Sequence, residues 1–487
     1  MERGMHCALF AVFAALGLAA VVLSAITLAR MPPASAPREQ STDAVAAILA
    51  AGDMATTQVF TELSLFAGNL TALDAAQRTP AHAGPLRVAR ALAIVHIAMA
   101  DAIGAATRAF QPYTSVLFAE QPTSECAAAA VAAHDTLVQL YPLQRREIDS
   151  FIARLLRGIA ESPAKRRGIE LGEQAAQLIL ELRADDGSAH AEPPAADFES
   201  SQPGKWRRDP VAQHDIALGG LWARRVAPFA ITSASQFRLQ PPPALTSTEF
   251  QLELSEVLAR GGDGNTTATV RDEWATMVGL YWAYDGAGNV CAPPRLYLQL
   301  AIAIAQQNAL PMHQLVPMMA TVAIAMTDAG LAGWDSKYFH MRARPVTLIR
   351  SDAAGAQKDT HWRPLGAPAS NSDAPNFTPP FPAYPSGHAV FGSAMAQVVR
   401  TYLGTDDCRV QFTSSEFDGT TRDNAGRVRA RITRTFDTLS QIELENANSR
   451  IELGIHWRRD CSDGLILGYD VADFVLQRTY APLRRSA

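Results

Sequence analysis

The segment FPAYPSGHAVFG, residues 381–392, places a serine, a glycine and a histidine where a helix should begin. The residues that follow, 389–403, are apolar and free of proline, and a glycine comes directly after them, so they are predicted to form a buried helix. Ser386, Gly387 and His388 would then lie at its amino-terminal end, where backbone N–H groups have no partner within the helix. Such an end can bind an anion. A lone histidine there could equally cap the helix or pack against it.

A pair of cations precedes this segment. Lys337 and Arg344 are seven residues apart, so one continuous helix would place both side chains on the same face, and Pro345 would end that helix. A solvated surface stripe is the commonest reason for such a pair, and an anion site is the alternative.

A second histidine lies in the segment 446–464. Arg450, His456 and Asp460 follow one another at intervals of six and four residues. A carboxylate four residues after a histidine can accept its N–H and thereby fix which ring nitrogen carries the proton. An arginine-rich turn around a satisfied core histidine would give the same pattern.

The residue types in these three segments suit one task, the binding of a tetrahedral oxyanion such as phosphate or vanadate. Positive charge would come from Lys337, Arg344 and Arg450, while Ser386 and the Gly387 N–H would be neutral donors. The two histidines could then divide the chemistry. One would bond to the central atom, and the other would move a proton to or from an oxygen on the far side.

Composition and periodicity predict the scaffold. The chain has 487 residues, of which 48% are hydrophobic and 19% charged, with a net charge of −5. This is enough for a large core and gives no support for nucleic-acid binding. Apolar faces recur at helical spacing, whereas strand-like alternation is scarce, so we expect an all-α fold of packed helical bundles. Besides 389–403, the predicted helices are 86–104, 124–158, 165–183, 268–283, 296–308, 312–334, 435–455 and 464–480.

The first thirty residues have the pattern of an export signal. Two basic side chains precede an apolar run at 7–29 that is long enough to span a bilayer. We therefore expect residues 1–30 to be a cleaved signal peptide or a retained membrane anchor, residues 31–45 a linker, and residues 46–487 one all-α domain that is secreted, periplasmic or anchored facing outward. In an exported chain the even number of remaining cysteines permits two disulfides: Cys126, Cys291, Cys408 and Cys461.

The ordered triple of motifs resembles a known signature. Lysine, six residues and Arg-Pro come first, Pro-Ser-Gly-His second, and Ser-Arg, five residues, His, three residues and Asp third. This order is similar to the signature that vanadium-dependent haloperoxidases share with type-2 phosphatidic acid phosphatases, and it is nearest to the fungal-type chloroperoxidases. Further matching segments are YWAYDG at 281–286, TDAG at 327–330 and LGAPASN at 365–371.

The resemblance implies a helical-bundle fold of the haloperoxidase and acid phosphatase type, with vanadate as cofactor and a role for each motif residue. His456 would bind vanadium, His388 would be the acid–base group, and Lys337 would make a peroxide oxygen electrophilic. The groups implied to hold the vanadate oxygens are Lys337, Arg344, Ser386, Gly387 and Arg450. Asp285 would pair with Arg450, Asp460 would orient His456, and Trp334 and Phe381 would line the halide side.

The implied activity is oxidation of chloride or bromide by hydrogen peroxide to hypohalous acid, which would halogenate small organic acceptors. Apolar Trp334 and Phe381 favour chloride competence because they would desolvate the halide, although both could simply pack. One alternative is an exported phosphohydrolase in which His456 attacks phosphorus. Another is a binding protein that captures the oxyanion without turnover.

Overall fold

The computed structural model describes residues 61–70 and 84–481 of the chain. The predicted export segment, residues 1–30, and the predicted linker, residues 31–45, lie outside the described residues. So do the first fifteen or so residues of the predicted domain.

Helices make up almost all of the regular structure in the described ranges, which confirms the predicted all-α class. Residues 61–70 are helical. The helices that follow are, in chain order, α1 (Pro85–Thr107), α2 (Glu125–Leu140), α3 (Arg145–Arg157), α4 (Pro163–Leu182), α5 (Trp222–Arg225), α6 (Thr248–Arg260), α7 (Glu273–Tyr281), α8 (Pro293–Gln307), α9 (Met312–His340), α10 (Pro345–Ile349), α11 (Gly387–Leu403), α12 (Leu439–Glu452) and α13 (Arg458–Leu476). Short 3₁₀ helices lie between them at Pro142–Gln144, Ala195–Asp197, Ala234–Phe237, Asp352–Gln357 and Ser415–Phe417.

The long helix α9 lies at the centre of the molecule. It packs against α1 on one side and against α11 and α13 on the other, while α1, α2 and α4 pack together beyond it. Helices α1 and α9 are long and apolar enough to cross a membrane by length and composition. However, 94% and 100% of their most apolar stretches are buried within the structure, as in the core helices of globular proteins.

The helix that carries Lys337 runs past the predicted end at residue 334 but stops before it reaches Arg344. It stops at His340, and Met341 takes a left-handed conformation with φ of 55°. Pro345 does not end this helix but begins the next one, where its missing N–H costs nothing. Arg344 precedes α10 in an extended conformation, which a following proline favours. The prediction that Lys337 and Arg344 share one helix face is therefore wrong.

Other boundaries also differ from the predicted ones. The predicted helix 124–158 is interrupted after α2, because Pro142 follows Tyr141 and starts a separate turn. Residues 435–438, which were predicted to be helical, belong to β2 (Thr433–Thr438), which pairs antiparallel with β1 (Asp407–Thr413). Alternate residues of β1 are buried, so a short period-2 pattern was present.

The structure does not have the two disulfides that the cysteine count permits. Cys408 and Cys461 are buried thiols in the structure, so two bridges cannot be made among the four cysteines of the described residues. Burial raises the pKa of the Cys461 thiol to about 12 and that of Cys408 to about 11, which keeps both protonated and unreactive at neutral pH.

Close packing of α11 on α13 depends on Gly468. A Cβ atom at this position would lie 2.0 Å from Ser393 Oγ and 2.5 Å from the Val390 carbonyl oxygen. We expect Gly468→Ala to lower the free energy of unfolding by about 1–3 kcal/mol, because the helices must separate to admit the methyl group. Urea denaturation measures this change.

Gly333 in α9 is the matched control. It also faces Val390, but the nearest atom would be 3.6 Å from its Cβ, which is ordinary contact. Gly333→Ala should leave stability unchanged or raise it by up to about 1 kcal/mol, since alanine is the better helix former. Equal effects of the two substitutions would contradict the packing argument.

Candidate active site

His456 lies in the turn between α12 and α13, and Asp460 orients it as the sequence indicated. Asp460 is the third residue of α13, where its carboxylate accepts the Trp457 backbone N–H and caps the helix. The same oxygen, Oδ2, lies 3.0 Å from His456 Nδ1. Because a carboxylate accepts, Nδ1 carries the ring proton and Nε2 keeps its lone pair. Burial, followed by the charge of Arg344, lowers the pKa of His456 well below its ordinary value and keeps the ring neutral.

The segment 386–388 forms the start of α11, as predicted. Ser386 precedes the helix in an extended conformation, Gly387 is its first residue, and a left-handed Gly404 ends it. The Ser386 N–H donates to the Asp460 carbonyl at 2.8 Å, which ties this helix start to that of α13. A Cβ on Gly387 would lie 3.1 Å from the Trp334 ring, so glycine lets the two pack closely.

His388 is held by the segment that contains YWAYDG. Its Nε2 donates to the Ala283 carbonyl, since a carbonyl can only accept. The His388 carbonyl accepts from Asn446 Nδ2 at 2.9 Å, and the Tyr297 hydroxyl lies 3.0 Å from the same oxygen. Burial, followed by the charge of Arg450, lowers the pKa of His388 well below its ordinary value, so this ring is also neutral.

Lys337 is fully buried, and its ammonium contacts three backbone carbonyls. Nζ donates to Pro382 at 2.9 Å, to Ala383 at 3.1 Å and to Pro385. An ammonium has three N–H groups, so these contacts use all of them. Burial and the neighbouring charge of Arg344 lower the pKa of Lys337. The side chain thus lies directly behind the helix start at Ser386.

Two buried arginines complete the cluster of cations. Arg344 donates from Nε to the Phe381 carbonyl at 2.9 Å and from Nη1 to the Ile455 carbonyl at 2.8 Å, and Nη1 is also 2.8 Å from His456 Nε2. Burial lowers the pKa of Arg344 to about 9, and the like charge of Arg450 acts in the same direction.

Arg450 is paired with Asp285, the pairing that the resemblance implied. Nη2 of Arg450 lies 2.9 Å and 2.7 Å from the two carboxylate oxygens of Asp285, and both side chains are buried. Burial raises the pKa of Asp285, whereas Arg450 counteracts that rise. One nitrogen of Arg450 is therefore fixed by the carboxylate, which determines where the others point.

Two aromatic rings lie against the ammonium of Lys337. The ring centroids of Trp334 and Phe381 are 4.9 Å apart, and Lys337 Nζ is 5.3 Å and 5.0 Å from them respectively. Trp334 Nε1 donates to the Leu218 carbonyl at 3.0 Å, which fixes the plane of its ring. These rings form an apolar wall beside the cations.

Several donors of this cluster are buried without a hydrogen-bond partner. They are Arg344 Nη2, Arg450 Nε, Arg450 Nη1 and Ser386 Oγ. Buried polar groups are almost always hydrogen-bonded, and buried like charges repel one another. An oxyanion would satisfy both requirements at once. Within the part of the chain that the structure describes, no group of three or more His, Cys, Asp or Glu side chains could hold a bare metal ion.

Sequence reasoning missed several residues that hold this site. Arg342 and Glu253 contact the Asp460 end of the cluster, while Asn446 and Tyr297 hold the His388 backbone. Of these residues, Arg342 and Asn446 lie within the motif segments, but the sequence assigned no role to either. Glu253 lies on α6, which was not among the predicted helices.

Most residues of this cluster lie in a part of the chain that matches a known family of domains. Residues 317–484 match the family model described as the VCPO second helical-bundle domain. The chain is 35% identical over 291 residues to the vanadium chloroperoxidase of Curvularia inaequalis, an alignment that covers 52% of this chain and 47% of that protein. The chain thus spans about half the length of this curated relative.

Solved structures agree on the fold. A bacterial vanadium-dependent iodoperoxidase superposes with a TM-score of 0.64 at 22% identity, over 84% of this chain and 96% of that one. A bacterial vanadium-dependent chloroperoxidase in its holo form gives a TM-score of 0.60 at 19% identity, over 82% of this chain and 93% of that one. The resemblance to vanadium-dependent haloperoxidases that the motifs indicated is confirmed.

Proposed function

We propose that this chain is a vanadium-dependent haloperoxidase, which uses hydrogen peroxide to oxidise halide to hypohalous acid and thereby halogenates small organic acceptors. The matched C-terminal domain and the names of the similar proteins support this activity. The observation that carries the proposal is the set of buried donors without a partner on Arg344, Arg450 and Ser386, together with a neutral His456 whose Nε2 carries no proton and faces Arg344.

The donor set fits vanadate. His456 Nε2 would bind vanadium, and Asp460 prepares it by holding the proton on Nδ1. The unpartnered nitrogens of Arg344 and Arg450, the Ser386 hydroxyl and the Gly387 N–H would donate to vanadate oxygens. Bound vanadate supplies Lewis-acid activation of hydrogen peroxide without a change of its oxidation state.

The chain's own residues would handle protons and charge. In the neutral ring of His388, Nε2 donates to Ala283, so Nδ1 is the basic nitrogen that would take a proton from hydrogen peroxide. Lys337 would add positive charge beside the reacting oxygen. Because its three N–H groups already donate to carbonyls, Lys337 would act through its charge and through the backbone segment that it holds.

We propose that the aromatic wall of Trp334 and Phe381 is the halide side of the pocket. Both rings contact the Lys337 ammonium, so a small anion lying there would meet a positive charge and an apolar surface together. Chloride holds its water more tightly and is harder to oxidise than bromide. The two apolar rings would remove water from the halide and strengthen its attraction to the Lys337 ammonium, so they favour chloride as a substrate.

The test is halogenation of a β-diketone dye by the purified protein with hydrogen peroxide. We expect vanadate-dependent halogenation with bromide and with chloride, and inhibition by inorganic phosphate, which would compete for the same donors. Samples without vanadate are the control. Phosphatase activity without any halogenation would contradict the proposal and favour the phosphohydrolase, which needs the same oxyanion cluster. Oxyanion binding with neither activity would favour the binding protein.

A further inference from the structure

Arg342 links the carboxylate behind His456 to a second buried carboxylate. Its Nη1 donates to Asp460 Oδ1 at 2.7 Å, and its Nη2 donates to Glu253 Oε2 at 2.5 Å. Each of the three side chains is at most 5% exposed. The two oxygens of Asp460 therefore have separate tasks, since Oδ1 accepts from Arg342 while Oδ2 accepts from His456 and from the Trp457 backbone N–H.

Glu253 also holds the start of the helix on which Asp460 lies. Its second oxygen, Oε1, accepts the backbone N–H of Arg459, the residue before Asp460. The guanidinium of Arg342 lies 5.9 Å from the Phe250 ring and 5.6 Å from the Trp457 ring, so it is fixed from the sides as well. Helix α6 thus contacts the backbone at the start of α13 directly, and it reaches the Asp460 carboxylate through Arg342.

A backbone contact anchors the other end of α6 to the same turn. A Cβ atom on Gly454 would lie 2.3 Å from the Gly261 carbonyl oxygen, and Gly454 has φ of 69°, so glycine is required there. Arg260, the last residue of α6, pairs with Glu452. Helix α6 and the glycine that follows it therefore contact the chain before the His456 turn, at 452–454, and after it, at Arg459.

We propose that Glu253 and Arg342 are positioning residues that lock the rotamer of Asp460, and so the tautomer and direction of His456, for binding the metal of an oxyanion. This inference rests on the proposed function. The physical reason is that a carboxylate held at one oxygen only can rotate toward other cations, and Lys337 and Arg344 are both near enough to attract Asp460. With Oδ1 bound to Arg342, Oδ2 must face His456.

The first measurement is the dissociation constant of vanadate, obtained by equilibrium dialysis. We expect Arg342→Met and Glu253→Gln to raise it by about 10- to 100-fold, the range typical of residues that orient a metal ligand. Arg342→Lys, which keeps one charged donor, should recover part of the loss. Glu249→Gln is the matched control, because Glu249 also lies on α6 and pairs with Arg459 of α13, but in solvent. It should change the constant less than twofold.

The second measurement is ¹⁵N NMR of the imidazole nitrogens of the protein without vanadate. The wild type should show His456 with its proton on Nδ1, and Arg342→Met should show exchange between the two tautomers. Glu253→Gln leaves one acceptor oxygen for the two groups that Glu253 binds, Arg342 and the Arg459 N–H, so it should show the same exchange and supplies the answer if Arg342→Met does not fold. Folded variants with wild-type affinity and a wild-type tautomer would overturn the proposal.

The two measurements separate this proposal from the proposed function. If the wild type binds no vanadate, the proposed haloperoxidase function is wrong. The NMR comparison would still decide whether Arg342 fixes the tautomer of His456. If the wild type binds vanadate and the variants bind it equally well, the positioning role fails and the proposed activity stands.

Discussion

Replacing His456 with alanine is expected to weaken vanadate binding by about 10³-fold or more, which corresponds to about 4 kcal/mol. The substitution removes the Nε2 lone pair that would form the bond to vanadium and leaves only hydrogen bonds and charge to hold the anion. Halide oxidation should be lost in parallel at low vanadate concentrations. Equilibrium dialysis and the dye assay measure the two effects.

The control for this substitution is a second buried histidine outside the cluster. His96 in α1 is also fully buried and neutral, since burial lowers its pKa to about 4. His96→Ala should lower thermal stability, because it leaves a cavity, yet retain the vanadate affinity of the wild type. If His456→Ala bound vanadate as tightly as His96→Ala does, His456 would not be the metal ligand.

Replacing His388 with alanine is expected to reduce halide oxidation by about 10²- to 10⁴-fold, the usual contribution of a general acid–base group. Vanadate affinity should fall only a few-fold, because His388 Nε2 is bound to Ala283 and the unpartnered donors belong to other residues. Steady-state turnover with bromide, measured at saturating vanadate, checks the rate, and dialysis checks the affinity.

A second variant sharpens this test. Asn446 and Tyr297 hold the His388 carbonyl, not its ring, so both His388→Ala and His388→Gln should retain the start of α11. His388→Gln also keeps a polar side chain, but that side chain does not exchange protons near neutral pH. Both variants should therefore be slow. Unchanged turnover in either of them would rule out the acid–base role.

Local spacing predicted the parts of the site that lie close together along the chain. His456, in the turn before α13, is only four residues from Asp460 in the first turn of that helix, and the start of α11 at Ser386 follows from one apolar run. The structure has both. The interval from Lys337 to Arg344 misled, because the helix ends at His340 and Arg344 reaches the cluster from a separate turn.

Contacts between distant segments were beyond this reasoning. Asp285 and Arg450 pair across 165 residues, and only the family resemblance indicated them. Arg342 and Glu253 meet across 89 residues, and nothing in the spacing of either residue indicates the other. The Ala283 carbonyl that fixes His388 is a backbone group, which carries no residue-type signal. The overall all-α class was accessible because apolar periodicity is repeated over many helices.

Lys337 donates hydrogen bonds to three backbone carbonyls, those of Pro382, Ala383 and Pro385. These contacts change how a substitution of Lys337 must be interpreted. The lysine holds the backbone segment that joins Phe381 to the start of α11. Removing its side chain therefore releases this segment and also deletes a charge. Slower turnover in a Lys337→Ala protein would combine both losses. A lysine analogue of equal length and lower basicity would separate the two losses. It would keep the hydrogen bonds to the backbone segment while reducing the positive charge.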